Sequence, residues 1–165
     1  MSSQPIKIDG IGTRKSGADA SNFATKGIST ANFADYKRFV KLFAAGTISK
    51  GDAVCIDFTT STNGLGNHVV AAKSGVGQNA TTCAIGVADA DAVSGDIVSI
   101  QVSGIVTTAD IDDTNDAPGD ALGAGANAGR FTIAVAGQTA AAILVTEGTP
   151  GSGDTTVYLL NPANL

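Results

Sequence analysis

A short motif occurs twice in this chain, 58 residues apart. Residues 84–87 and 142–145 both read Ala-Ile-x-Val, and a Ser-Gly-Asp follows each of them, at 94–96 and 152–154. After each Ser-Gly-Asp comes a run that alternates along the chain, and a period of two is typical of a β-strand. The motif therefore predicts a turn followed by a strand, used once in each half of the chain.

Two further Gly-Asp pairs, at 51–52 and 119–120, precede other strand-like runs. Glycine takes positive φ angles without a Cβ clash, and an aspartate accepts hydrogen bonds from nearby backbone N–H groups. Because the Gly-Asp pair occurs four times before a strand-like run, its aspartates are predicted to stabilise turns and not to act as catalytic acids. The shared plan indicates an ancient duplication that left two related halves around one core.

Strands separated by turn signals account for the sequence beyond position 50. The predicted runs are 53–58, 67–73, 83–88, 97–107, 121–123, 130–136, 140–146 and 155–160. Residues 35–45 fit both a helical and a strand pattern, but Phe, Val and Tyr favour a strand. Asn63-Gly64 predicts a hairpin turn. The fold class predicted is all-β, a small antiparallel β-barrel or sandwich.

The N-terminal segment has a different character. Residues 1–34 show no sustained period, so we predict an extended N-terminal arm, with a β-barrel or sandwich domain at 35–165. Apolar residues spaced through the arm suit anchors on a partner, although an unanchored terminus is the alternative. Eight of the ten basic residues lie in the first fifty positions, whereas from position 51 twelve acids face two bases.

This asymmetry predicts an arm that binds an acidic protein surface, including that of a neighbouring identical subunit. Nucleic acid is not expected, because the basic segment lacks flanking aromatic residues and the acidic body would repel phosphates. The residues predicted to contact the partner are Ile6, Lys7, Ile8, Arg14, Lys15, Phe23, Lys26, Phe33, Lys37 and Arg38.

Reactive side chains are few. The single histidine, His68, has no nucleophile at a suggestive spacing, and Cys55 and Cys83 form no metal-binding motif. We therefore predict that the protein is not an enzyme and that it needs no cofactor.

The acidic run Asp110–Asp116 has oxygen side chains at alternate positions, as a hard cation requires. The EF-hand pattern also needs Gly at its sixth position and Glu at its twelfth, where this chain has Asn115 and Ala121. These departures favour a solvated loop between the two halves, and the sequence leaves cation binding there open.

No basic N-terminal region precedes an apolar run, and no apolar stretch approaches the ~20 residues of a membrane span. A cytoplasmic protein without membrane contact is expected.

Residues 84–104, which run from Ala-Ile-Gly-Val-Ala through Ser-Gly-Asp to Val-Ser-Gly, resemble the central motif of tailed-bacteriophage capsid decoration (cement, head-stabilising) proteins. Residues 48–54 and the strand after Gly153-Asp154, which ends at Asn161-Pro162, are also similar. The resemblance covers about residues 48–162, and the arm has no counterpart in it.

The resemblance implies a viral structural protein that binds the outer surface of a phage head and stabilises capsomer contacts. The expected partners are the major capsid protein and neighbouring copies in a homo-oligomer, and the expected location is the virion, after assembly in the host cytoplasm. The resemblance supplies no catalytic residues. A carbohydrate-binding or adhesin-like β module on a virion or cell surface is the alternative.

Overall fold

The computed structural model describes residues 37–58, 66–73, 83–113, 116–136 and 138–160. Within these ranges the secondary structure consists of nine β-strands and no helix, so no helix there could cross a membrane. The strands are β1 (Arg38–Ala44), β2 (Ala53–Ile56), β3 (His68–Ala71), β4 (Gly86–Ala88), β5 (Ile97–Ala109), β6 (Ala121–Ala124), β7 (Phe131–Ile133), β8 (Ala142–Thr146) and β9 (Thr155–Leu159).

The all-β prediction is confirmed, and every predicted run contains a strand. Residues 38–44 form a strand, which settles the ambiguous segment, and β5 continues two residues beyond its predicted end. The arm at residues 1–34 and the Asn63-Gly64 turn lie outside the described residues.

The first five strands close into a ring, which we call ring 1. Its members are β1 to β4 and the first half of β5, residues 97–103, paired in the order β1–β3–β2–β4–β5–β1. The pairs are antiparallel except for β1 with β3, which is parallel. Alternate residues of these strands point inward, and Val54, Val69 and Ile100 fill the interior with no exposed surface.

The remaining strands form a second group, which we call ring 2. The second half of β5 pairs with β9, and the order continues through β8 and β6 to β7. An isolated parallel bridge between Ile111 and Phe131 connects β7 back to the chain just after β5. Leu122, Phe131 and Val157 lie fully buried in its core. Strand β5 therefore belongs to both rings.

The two rings repeat one plan. Ring 1 has the order β3–β2–β4–β5, and ring 2 has the corresponding order β7–β6–β8–β9. Hydrogen bonds define matching positions, because Gly51 N–H donates to Ala88 O (2.9 Å) and Gly119 N–H donates to Leu144 O (2.8 Å). Ala88 and Leu144 are 56 residues apart, so the motif spacing of 58 is two residues out of structural register. A shift of two keeps side chains on the same face of a strand.

All four Gly-Asp pairs form turns. The four glycines have positive φ angles: Gly51 95°, Gly95 94°, Gly119 100° and Gly153 64°. Three of the aspartates accept a hydrogen bond from the backbone N–H three residues earlier; the pairs are Ser49 with Asp52, Val93 with Asp96, and Ala117 with Asp120. The fourth, Asp154, accepts from the Thr149 N–H instead. The predicted turn role is confirmed.

Ring 2 forms backbone hydrogen bonds with the first of these turns, at Gly51-Asp52. Asp110 N–H donates to Gly51 O (3.2 Å), and Ala53 N–H donates to Gly129 O (2.7 Å). The Gly51–Ala53 turn therefore lies between two backbone groups of ring 2. In ring 1 the matching groups bond directly to each other, Phe43 N–H to Asn67 O (2.9 Å).

Candidate interaction surface

The structure describes two of the predicted binding residues. Lys37 precedes β1 and Arg38 is its first residue, and both are exposed. The other eight lie outside the described residues: Ile6, Lys7, Ile8, Arg14, Lys15, Phe23, Lys26 and Phe33. Exposure alone does not show what Lys37 and Arg38 contact, so the whole predicted site stays a prediction.

The outer face of β1 continues from these two basic residues. Leu42 and Ala44 point into the core of ring 1, so the alternate residues Phe39 and Lys41 point away from it. Phe39 is 47% exposed although it is aromatic. We call Lys37, Arg38, Phe39 and Lys41 the β1 strip. The strip combines three positive charges with one aromatic ring along β1 and the residue before it.

A second apolar group lies at the hairpin end of ring 1. Phe43 pairs with Ile97 on β5 and with His68 on β3, and the rings of Phe43 and His68 are 5.4 Å apart. Phe58 follows Asp57, whose N–H donates to His68 O. Phe43, Phe58 and Ile97 are 39%, 60% and 62% exposed. We call Phe43, Phe58, His68 and Ile97 the apolar end.

A polar cleft of about 190 Å³ lies beside the junction of the two rings. Its lining residues are Lys37, Lys50, Val87, Ala88, Asp89, Gln101, Val106, Thr107 and Thr108. Gln101 is buried, and its Nε2 donates to the carbonyls of Ser103 and Ile105, each at 3.0 Å. These bonds span Gly104, which has a φ of 87°. Gln101 therefore braces the point at which β5 passes from one ring to the other.

The side chains of the acidic loop turn to different partners. Asp110 accepts from Gly153 N–H, Asp112 accepts from Asn127, and Asp113 accepts from the Thr132 hydroxyl. Across the described ranges, no three His, Cys, Asp or Glu side chains converge as metal ligands. The alternate-ligand spacing is therefore used for structural hydrogen bonds at Asp110 and Asp112, while Thr114 lies outside the described residues.

Asp116 is the unusual member of this loop. It is 6% exposed, and its Oδ2 has no hydrogen-bond partner. Burial raises the pKa of Asp116, and the negative charges of Asp113, Glu147 and Asp120 raise it further. A buried charge without a partner destabilises a fold. Its match in ring 1 is Ile48, because Ser49 and Ala117 occupy the same turn position.

The thiol of Cys55 is buried and does not ionise at neutral pH. Cys55 is 1% exposed, and burial together with the Asp57 carboxylate raises the pKa of its thiol to about 12. A thiol with such a pKa is protonated at neutral pH and is a poor nucleophile. The second cysteine, Cys83, is exposed and free. Cys55 therefore packs as a small core residue, whereas Cys83 does not.

The sequence matches no protein-family model, and no curated protein is significantly similar to it.

The predicted contact residues include Lys37 and Arg38 of the β1 strip, but they do not include Lys41 or the aromatic residues of this surface. Alternation shows that the residues of β1 occupy two faces, but it does not show which face is covered. Phe39 and Phe43 read as core residues in a sequence, because aromatic side chains are usually buried. Only the pairing of β1 with β3 and β5 shows that their face points outward.

Proposed function

We propose that this protein is a capsid decoration protein, which binds the outer surface of a phage head and stabilises the contacts between capsomers. The observation that carries the proposal is the β1 strip, an exposed apolar and basic surface on an otherwise acidic β scaffold. The resemblance of residues 48–162 to decoration proteins supports the same function.

The strip suits recognition of an acidic protein surface. Lys37, Arg38 and Lys41 supply positive charge, and Phe39 supplies the kind of aromatic anchor that dominates binding energy at interfaces. From position 51 onward the chain carries ten more acids than bases, so opposite charge at the strip favours one docking orientation over others.

The scaffold suits a structural role. Two rings share one strand, and Gly-Asp turns with side-chain hydrogen bonds hold the loops between strands. Backbone pre-ordered in this way loses little conformational entropy when it binds a flat surface. Many copies on one shell would multiply a modest gain from each interface.

The first test is whether the chain is part of a virion. Mass spectrometry of purified particles should detect it in many copies per head, and labelled antibody should mark the outer surface. Purified protein should then sediment with expanded capsids that lack it. Particles without the chain, together with no binding to expanded capsids, would disprove the proposal. Binding to a glycan array without capsid binding would favour the carbohydrate-binding alternative instead.

The second test addresses the strip itself. The triple variant Lys37→Ser, Arg38→Ser, Lys41→Ser should weaken capsid binding about tenfold or more, and added salt should reduce the difference from the native protein because it screens exposed charges. A control with the same net charge carries Glu at the exposed positions Ser94, Ala136 and Thr139. Equal weakening in both triple variants would show that net charge, and not the strip, controls binding.

A further inference from the structure

Ring 1 and ring 2 contact each other through two different surfaces, a turn of ring 1 and the hairpin end of ring 2. The corresponding turn of ring 2 and the corresponding hairpin end of ring 1 are exposed. In ring 1 the Gly51–Ala53 turn is covered by ring 2: Gly51 is buried, and a Cβ at Gly51 would clash with the carbonyl oxygen of Thr108. In ring 2 the matching Gly119–Ala121 turn is open. Gly119 and Ala121 are exposed, and a Cβ at Gly119 would meet no atom within 4 Å.

The opposite surface shows the reverse pattern. Ring 2 receives the Gly51–Ala53 turn at its hairpin end, where Gly129 is buried and Asp110 N–H donates to Gly51 O. The hairpin end of ring 1 is the apolar end. Asn67 lies beside it and matches Gly129, and Asn67 is exposed, as are Phe43, Phe58 and Ile97.

We propose that copies of this chain associate head to tail, with the apolar end of one copy packed on the Gly119–Ala121 turn of the next. Both surfaces have a covered counterpart inside the same molecule, so the fold already contains one example of this kind of contact. A second copy is the partner that presents the turn required.

Charge supports the same orientation. Lys41 lies two residues from Phe43 on the outer face of β1, with Lys37 and Arg38 further along the strand. Next to the Gly119–Ala121 turn are the partly exposed acids Asp120 and Glu147. Asp96 is also exposed beside Ile97, so Lys41 is the basic group near the apolar end that can pair with an acid beside the turn of the next copy.

The contact between copies differs from the internal one in one respect. Phe43 N–H already donates to Asn67 O, so the turn of the next copy cannot enter between the strands without breaking this bond. The turn instead packs against the outside of the apolar end and covers exposed apolar surface there. Since the contact joins two different surfaces, it is heterologous, and repeating it produces either a closed cyclic oligomer or a filament.

The test measures the mass of the native protein by light scattering over a range of concentrations, without capsids. Its result is therefore independent of the proposed function. We expect mass to rise with concentration. Phe43→Ser changes the apolar end and is called the head variant, and Ala121→Arg changes the Gly119–Ala121 turn and is called the tail variant. Each should weaken association about tenfold or more. Val135→Ser, which changes another exposed apolar residue, should not weaken it.

Mixing the two variants gives the sharpest result. The head variant keeps an intact turn and the tail variant keeps an intact apolar end, so an equal mixture should form a one-to-one dimer that grows no further. Circular dichroism checks that each variant folds, and Ile97→Lys is a second head variant if Phe43→Ser does not. A native protein that stays monomeric, or a mixture that stays monomeric, would overturn the proposal.

A photoreactive phenylalanine analogue at Phe58 identifies the occupant directly. We expect a cross-link to residues 117–121 of another copy. A cross-link to residues 1–36 of the same chain would show that the chain covers its own apolar end, and this too would overturn the proposal.

Discussion

Ring 1 and ring 2 have the same strand order and the same turns, yet they differ in residue type at several matching positions. Ile48 in ring 1 corresponds to Asp116 in ring 2, and the Phe43–His68 pair corresponds to Asp110 and Arg130. The inward residues Val54 and Leu122, by contrast, are both apolar and fully buried. The two rings therefore share their inward strand residues and their turns, and they differ both at a buried turn position and at the hairpin end.

The largest expected effect distinguishes the two turns. Gly51→Ala should cost about 3 kcal/mol, because a Cβ at positive φ costs about 1–2 kcal/mol and the clash with Thr108 adds overpacking of similar size. Gly119→Ala has the same φ penalty but open space around it, so about 1 kcal/mol is expected. Urea unfolding measures both. Equal losses would contradict the claim that only the first turn is covered.

The next effect concerns the buried acid of ring 2. Asp116→Asn should stabilise the fold at pH 7 by about 1–3 kcal/mol, because it removes the negative charge of a buried carboxyl group whose Oδ2 has no hydrogen-bond partner. The folded-state pKa of Asp116 is raised, so the native protein should lose stability as pH rises from about 3.8 through that pKa. Below this window the native protein and the variant should be equally stable.

Thermal unfolding between pH 3 and pH 8 measures this difference, and the exposed residue Asp89 offers a control as Asp89→Asn. If the advantage of Asp116→Asn did not change with pH, the carboxyl group of Asp116 would not be the group that titrates.

The smallest expected effect is a change in the pKa of Asp154, whose turn differs from the other three Gly-Asp turns in its hydrogen bonds. The Ser152 hydroxyl and the Thr149 N–H hold the pKa of Asp154 below its usual value. The stability that Asp154 contributes is therefore present above its unfolded pKa and lost as pH falls through the lowered one. In Ser152→Ala the pKa should rise toward its usual value, as an NMR titration of the carboxyl carbon would detect. An unchanged pKa would mean that Thr149 alone controls it.

Local patterns were enough to predict where the strands and turns lie. Alternation, turn signals and strand propensity together located the nine strands of the described residues, and the positive φ of Gly51, Gly95, Gly119 and Gly153 follows from the Gly-Asp pairs. Both signals act within a few residues, so they can be read without knowing the rest of the fold. The functional proposal needed more than alternation and turn signals, because it draws on the exposed β1 strip and on the resemblance to decoration proteins.

Contacts between distant segments could not be predicted. The parallel pairing of β1 with β3, the burial of Asp116 and the exposure of Phe43 all depend on which strands meet. The repeated motif was even misleading in detail, because its two copies are displaced by two residues when the hydrogen bonds are matched. A displacement of two is invisible in a sequence, since both registers place the same side chains inward.

The strand shared by the two rings has a consequence for their relative motion. No linker separates the rings, because β5 leaves one and enters the other within a few residues around Gly104. One glycine in the left-handed region, braced by the Gln101 amide, is then the backbone point at which the direction of ring 2 is decided. The two rings should consequently move together as one rigid body, with no hinge between them.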